Sequence, residues 1–599
     1  MKLYLKKAVG VLLCFVILFG MFGIIGYASN ATPIIYVADI ENNTLYLNCN
    51  SATAEPVFLP EQNKLEEYFL NIVFGILAAT VAEETEFGMK YLRNGVNGLL
   101  SDAVCNEYGD TQNKVGVNTY KYPLSYYVQD ETVMTDFILS LGTSKSSPGL
   151  EHIYLFTYDW RLDPLENAAL LSDYIAYVKT REEVNKVSLL GAGYGGVVVH
   201  SYLWQYANEA ASDVSSCVFL NSPLLGNSLI GDFMSGNLAK KMVNTGTILN
   251  SYESISATER ADALVRYIND DADGMIVGLF EDVFGSGAYV SQLSTGLVWI
   301  VNAALGGQDI WSDMAKTYNA FLTDGEEQLY SSSLKNFLRY APGLWALVPN
   351  DFFYDAWYFM FPDDEASAKL TKKVNDYRTV LAATAETLQN AQASGININV
   401  VAGYNLQILP IAGVIDEHSD CMLLTKYASA GAITAEHGSD EVLAQAVNHE
   451  HGHLSPDSQI DASTCALPEN TWFISNLPNM QYESETASDF VMWLLSSSRQ
   501  RTIWEDPTYP QYMQYTRSDN KIAAVKNNNA AYFYGDANTD GYVNSADARL
   551  TLRYSVGLES IPAAFGLTLA DVNTDGVITA ADARIILRFS VGIYDTTVE

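Results

Sequence analysis

Residues 187–196 read Val187-Ser188-Leu189-Leu190-Gly191-Ala192-Gly193-Tyr194-Gly195-Gly196, and this stretch decides the fold. Its first four residues, apolar apart from Ser188, predict a buried strand, and Val197 to Ala207 predicts a helix. A strand, a glycine turn and a helix in that order build a nucleophile elbow, spelled G-x-S-x-G where a serine attacks. Gly191 and Gly195 keep the outer glycines, which let strand and helix pack closely. Gly193 stands in the serine's place. Glycine has no side chain to attack a carbonyl or hold an acyl group, so the scaffold is kept and its chemistry removed.

Outward from the elbow, the same apolar strand signature recurs at Pro33 to Val37, Ile153 to Phe156 and Cys217 to Leu220. Ile396 to Val401 adds another strand, and Leu165 to Thr180 reads as a helix between strands. Alternating buried strands and helices predict an α/β fold with a mostly parallel sheet covered on both faces. Between about 225 and 395 strand signals give way to helical ones, which predicts a large helical cap over the sheet's carboxyl edge. The hydrolase-like body is therefore expected over 32–497. Residues 498–532 lose periodicity and gain Asn, Asp, Tyr and Pro, the composition of a linker.

The N-terminus carries Lys2, Lys6 and Lys7, an apolar run, and small residues around Ala28 to Ala31. Residues 1–31 thus read as a secretory signal peptide, with an uncleaved membrane anchor as the alternative. A net charge of −36 excludes nucleic acid as a partner, because phosphates would be repelled. Outside the signal stand Cys49, Cys105, Cys217, Cys421 and Cys465. Cys49–Cys105 and Cys421–Cys465 are candidate bridges, while Cys217 sits in a strand pattern as a plain buried residue.

The last seventy residues contain a repeat. Asp536, Asn538, Asp540, Gly541, Tyr542, Asn544 and Asp547 occupy positions 1, 3, 5, 6, 7, 9 and 12 of a calcium loop. Asp571, Asn573, Asp575, Gly576, Val577, Thr579 and Asp582 repeat it 35 residues later. Side-chain oxygens supply most positions, and the carbonyls of Tyr542 and Val577 supply the seventh. Helices Ala548 to Val556 and Ala583 to Val591 follow the loops and stop at Gly557 and Gly592. Two structural calcium ions are expected, since clustered aspartates repel without cations. The pair resembles a type I dockerin over 533–594, with 595–599 a tail, a small all-α module held by two calcium loops. That resemblance implies a cohesin partner on a scaffold or cell surface, as in a cellulosome. It also implies that Ser545, Ala546, Ala580 and Ala581 face the cohesin, framed by Arg553 and Arg588.

Tyr158-Asp159-Trp160-Arg161 follows a strand and opens a helix. Together with the elbow, with Phe219 to Gly226, and with Ser455 through Cys465 to Phe473, it resembles the lecithin:cholesterol acyltransferase family of α/β-hydrolases. What the resemblance implies is an acyl hydrolase or acyltransferase fold, to be carried over position by position. The acid position falls on Asp420, and the base position, just before a final helix Ser488 to Leu495, falls on Asn479. The loop after the first strand, where that family builds its oxyanion hole, reads Ala38-Asp39-Ile40-Glu41. Asparagine does not shuttle protons near neutral pH. An aspartate ~4 Å from a developing oxyanion costs about 4 kcal/mol at an effective dielectric near 20, roughly a thousandfold in rate. Nucleophile, base and oxyanion loop are all replaced, and these parts act as a unit.

The expected function is therefore a secreted, cohesin-docking protein whose body is a pseudoenzyme that binds a lipid, ester or other small ligand, or serves as a scaffold component. An acyl hydrolase or O-acyltransferase with a rearranged nucleophile is the alternative, with Ser188, Ser201, Ser222 and Ser419 as the nearby serines. His449, His451 and His453 alternate and would share one side of an extended chain, a spacing open to a transition metal but read here as a polar loop. Trp160 and Arg161 are expected to brace the helix they open.

Overall fold

A computed structural model describes residues 32–237, 333–525 and 535–590, with breaks inside those ranges of which 57–89 is the longest. The N-terminal segment 1–31, the middle of the expected cap at 238–332 and the tail lie outside the described residues.

Eight strands form one sheet: β1 (Ile34–Val37), β2 (Ile153–Phe156), β3 (Val187–Ala192), β4 (Val214–Leu220), β5 (Asn397–Tyr404), β6 (Thr471–Ser475), β7 (Tyr512–Thr516) and β8 (Lys521–Ala524). Their spatial order is β8-β7-β6-β5-β4-β3-β1-β2. Every neighbouring pair is parallel except β7 and β8, so an antiparallel strand closes one edge. Strands β1, β2 and β3 are buried along their whole length, as expected of parallel strands covered on both faces.

Side chains divide by alternation. Ile35 and Val37 of β1 belong to one core, Ile34 and Tyr36 to the other. The first core is completed by α2 (Pro164–Glu182) and α3 (Tyr194–Gln205); the second by α1 (Asp136–Thr143) and α4 (Glu485–Leu495). Local chemistry sets the helix starts. Asp163 caps α2 by accepting from the Leu165 N–H, and Pro164 begins it with the right φ. Ser484 caps α4 at the Ala487 N–H, three residues before the expected start.

The expected α/β class with a mostly parallel sheet holds. Between β4 and β5 the described residues are helical: Ser228–Met234, Ser333–Tyr340, Pro342–Trp345, Phe353–Met360, Ala368–Ala382 and Thr384–Ala393. The linker expected at 498–532 is corrected. Ile503 and Trp504 are buried, and β7 and β8 extend the sheet inside that range. Tyrosines in a run rich in Asn, Asp and Pro were strand formers, with Tyr512 and Met513 packing inward.

The disulfide Cys421–Cys465 is also corrected: both residues are buried and no disulfide joins them. Cys465 packs among Ala402, Leu424 and Phe473, and burial pushes its thiol up to about 12, so it behaves as a small apolar residue. Cys105 and Cys217 are likewise buried and free, and Cys49 lies outside the described residues.

Candidate functional sites: a plugged elbow and a pair of calcium loops

Parallel strands deliver their carboxyl ends to one edge of the sheet, where α/β proteins place their ligand sites. At that edge, Gly193 leaves β3 with φ +48° and ψ −123°, a backbone region strained for residues with a side chain. Its N–H donates to the Leu220 carbonyl at the end of β4, 2.9 Å away. The neighbouring glycines are explained by contact. A Cβ at Gly195 would strike the Val37 carbonyl oxygen, and one at Gly191 would lie 2.7 Å from the Gly196 Cα. Gly196, quoted in the sequence but given no role there, leaves room for the Ser222 hydroxyl. The close strand–helix approach predicted from the spelling is present.

Asp39 follows β1 and turns its carboxylate onto the elbow. Its Oδ1 accepts from the Tyr194 N–H at 2.6 Å and from the Ile40 N–H at 2.8 Å. Its Oδ2 lies too close to where a Cβ on Gly193 would be for a side chain to fit there. Burial raises Asp39 to about 6, against the pull of those two N–H donors. Asn43 fixes the loop: its amide donates to the carbonyls of Ala38 (3.0 Å) and Asp39 (2.7 Å), and its oxygen accepts from the Tyr158 N–H (2.7 Å). The Tyr158 hydroxyl donates to the same Ala38 carbonyl at 2.6 Å. Sequence reasoning placed Asp39 in the loop after the first strand; the structure turns its carboxylate onto the Tyr194 N–H beside Gly193, and the signal missed was Asn43 four residues on.

Asp420 and Asn479 meet. The Asn479 amide donates to the Asp420 Oδ2 at 3.0 Å, and its backbone N–H donates to the Asp420 carbonyl at 2.8 Å. Met422 and Leu423 N–H groups donate to Oδ1 at 3.0 and 2.7 Å. Complete burial raises Asp420 to about 7 despite these donors. A Cβ on Gly403 would lie 2.6 Å from the Asp420 Cβ, so glycine at the end of β5 admits the acid. Tyr482, fully buried, feels the Asp420 charge and was not singled out from sequence.

The four serines are all buried donors to backbone carbonyls. Ser201 reaches Val197 (2.7 Å), Ser222 reaches Gly191 (3.1 Å), Ser419 reaches Leu406 (2.8 Å) and Ser188 reaches Leu495 (3.4 Å). None of these contacts is to a base. Arg161 is completely buried; it forks onto Asp159 (2.9 and 2.5 Å) and donates to the Ala103 carbonyl (2.7 Å) and Thr111 hydroxyl (3.0 Å). Trp160 meets Phe337 edge-on at 6.1 Å. These contacts tie Arg161 to its own loop and to the 103–111 segment, and Trp160 to the Ser333–Tyr340 helix, rather than to the helix that follows them. His453 is fully buried, with Nδ1 3.1 Å from the Gln511 Oε1, while His449 and His451 lie outside the described residues.

In the C-terminal repeat, α5 (Ser545–Ser555) and α6 (Ala580–Phe589) each begin with a capping box. Asn544 and Thr579 cap the helices, accepting from Ala546 and Ala581 N–H groups at 2.7 and 3.1 Å. Asp547 accepts from the N–H groups of Asn538 (3.1 Å) and Asn544 (3.0 Å); Asp582 accepts from those of Asn573 (3.4 Å) and Thr579 (2.8 Å). The backbone at positions 3 and 9 is thereby held against the position-12 carboxylate in both loops. Asp571 accepts from the Gly576 N–H at 2.8 Å, closing the second turn.

Asp536 and Asp547 are both fully buried at the two ends of the first loop, and Asp582 is fully buried in the second. Burying two carboxylates in one short loop requires a cation, and an all-oxygen donor set suits Ca²⁺. The residues present therefore fit calcium. Asp536, Asn538, Asn544 and Asp547 would hold one ion, and Asp571, Asn573, Val577, Thr579 and Asp582 the other. Asp540, Tyr542 and Asp575 lie outside the described residues, and among the described residues no three acidic, histidine or cysteine side chains converge as a complete metal site. At the helix starts, Ser545 and Ala580 are exposed, Ala546 and Ala581 half-buried; Arg553 pairs with Glu559 at 2.5 Å, and Arg588 lies one turn before the end of α6.

Two loop–helix units with paired acidic turns define a small docking module of the calcium-loop class. The family model described as the dockerin type I domain matches residues 534–589, and these residues form a type I dockerin domain. A dockerin implies a cohesin partner and an extracellular, cellulosome-like complex, and type I dockerins bind calcium. No curated protein matches the chain. No helix among the described residues is long and apolar enough to cross a membrane.

Proposed function

We propose that this chain is a secreted, cohesin-docked protein whose body has the lecithin:cholesterol acyltransferase-like α/β-hydrolase fold without its acyl chemistry. The observation that carries this reading is Asp39 seated on the Tyr194 N–H over Gly193. In a working elbow the amide after the nucleophile helps receive the oxyanion. Here a carboxylate already holds that amide. The chain order Gly193, Asp420, Asn479 is that of Ser, Asp and His in α/β-hydrolases, which supports the resemblance. The Asn479–Asp420 pair supports Asn479 as the degenerate base position.

The body then serves to bind a lipid, ester or other small ligand, or as a scaffold component, while the dockerin sets its location. The alternative of a rearranged serine nucleophile is disfavoured by the carbonyl partners of Ser188, Ser201, Ser222 and Ser419. Purified protein incubated with p-nitrophenyl esters and phospholipids should release no product. An acyl or fluorophosphonate adduct detected on the intact wild-type chain by mass spectrometry would overturn the reading.

A further inference from the structure

Beyond the end of β5, Leu406–Gln407 and His418–Ser419 pair antiparallel, and an isolated antiparallel bridge joins Glu417 to Glu436. His418 and His437 each follow one of the bridged residues. They are therefore diagonal neighbours on one face of that bridge, where ring side chains reach each other. Their ring centroids lie 5.2 Å apart with planes at 65°. His418 is 2% exposed and His437 is half-buried. The His418 Nε2 lies 3.5 Å from the Gln459 Oε1, and the His437 Nε2 lies 3.3 Å from the Asn405 carbonyl oxygen. The Gln459 amide nitrogen donates to the Glu441 carbonyl, which leaves the amide oxygen for His418. Both partners are oxygens that only accept, so each Nε2 carries the ring proton and each Nδ1 keeps a lone pair. Both Nδ1 atoms are buried, with no hydrogen-bond partner among the described residues.

We propose that His418 and His437 hold one divalent transition-metal ion of the Zn²⁺ type through their two Nδ1 atoms, with water in the remaining positions. Two lone pairs buried side by side need an electron-poor neighbour, and either a cation or a doubly donating water could serve. The separation of the rings decides between them. Imidazoles on one tetrahedral ion, with Zn–N of about 2.0–2.1 Å, place their ring centres about 5 Å apart. A water bridging them by hydrogen bonds of about 2.8 Å would hold the centres about 6 Å apart. The observed 5.2 Å fits the ion. Each ring is also held on its far side by an oxygen acceptor, the support that fixes the tautomer and orientation of metal-binding histidines. Two protein ligands are fewer than a tight zinc site uses, so the affinity should be modest. The ion would tie the strand that leads into Asp420 to the turn after Ile433–Thr434. The pair stands apart from the argument about Asp39 and does not depend on it.

The test is calorimetric titration of Zn²⁺ into the full-length chain, with excess Ca²⁺ present to keep the C-terminal loops filled. Binding of Zn²⁺ that also raises the thermal midpoint is expected, because the ion binds the folded chain. His437→Ala should weaken that binding by about tenfold or more, since it removes a ligand outright. Its metal-free thermal midpoint should match the wild type, because His437 is only half-buried. His449→Ala with His451→Ala should bind Zn²⁺ like the wild type. A wild-type chain that binds no Zn²⁺ would overturn the proposal and leave the two nitrogens to water. Undiminished binding by His437→Ala would overturn it as well. Binding that survives His437→Ala but is lost with His449 and His451 would place the ion on that run, and equally overturn it.

Discussion

The Asp39 carboxylate accepts the Tyr194 backbone N–H at 2.6 Å, so an anion stands on the amide that follows Gly193. Restoring a nucleophile is therefore more than a change of one side chain. In Gly193→Ser the new Cβ would strike Asp39 Oδ2, at a φ of +48° that side chains rarely adopt. The single variant should be destabilised by about 1–3 kcal/mol, the usual range for overpacking, and should show no ester turnover. Gly193→Ser with Asp39→Gly should recover only part of that stability, since the clash is relieved and the backbone strain stays, and should remain inactive because Asn479 supplies no base. Denaturant midpoints and p-nitrophenyl ester assays read both effects. Robust turnover by the single variant would contradict the placement of Asn479.

Asp420 yields a prediction in pH. Its folded value is raised to about 7, against an unfolded value of ~3.9. Between those values the folded state holds the proton more tightly, so stability falls as pH rises through that window and is greatest at its acid end. Three units correspond to roughly 4 kcal/mol as an order of magnitude. Asp420→Asn removes the charge while keeping an acceptor for the Met422 and Leu423 N–H groups, and Asn479 can turn its amide oxygen toward it. The variant should melt higher than wild type at pH 8, with the difference closing toward pH 4. Parallel melting profiles across pH 4 to 8 would refute the assignment.

The ion pair of Arg161 and Asp159 is a structural brace and should behave as one. Both are buried, and Arg161 also satisfies the Ala103 carbonyl and the Thr111 hydroxyl. Arg161→Ala leaves Asp159 buried without its cation, which costs about 3–5 kcal/mol. Arg161→Lys should recover only part of this, since an ammonium cannot fork onto both carboxylate oxygens. Chemical denaturation of the three proteins tests the order wild type, Lys, Ala.

What the sequence disclosed follows from where its signals are local. Largely apolar runs at Ile34–Val37 and Val187–Leu190 mark parallel strands because burial on both faces favours apolar side chains, with Ser188 the one polar exception. The glycine elbow is equally local, since Gly191 and Gly195 are demanded by contacts within a few residues or with the adjacent strand. Strands β7 and β8 were illegible because neither is buried along its whole length: Gln514 and Thr516 of β7 and Lys521, Ala523 and Ala524 of β8 are exposed, which interrupts the apolar run that marks the inner strands. The pairing of Asp39 with Tyr194 spans 155 residues, and no motif announces it. Cys421 and Cys465 show the converse: their count invites a bridge, and only packing reveals two separate thiols.

Calcium should decide whether the dockerin folds at all. Its two apolar clusters are small, one built on Ala548, Val572, Ile585, Ile586 and Phe589, the other on Ala537, Ile561 and Ala570. So few buried side chains rarely stabilise a module of this size unaided. Against that small gain stand three fully buried carboxylates, Asp536, Asp547 and Asp582, whose desolvation a bound cation offsets. Excess chelator should therefore remove the helical circular dichroism of an isolated 533–594 fragment, and added Ca²⁺ should restore it. Asp547→Ala should lower calcium affinity and also lose the N–H contacts of Asn538 and Asn544, so its helix α5 should stay frayed at calcium levels that refold the wild type. A fragment whose spectrum is unchanged in excess chelator would show that packing alone suffices.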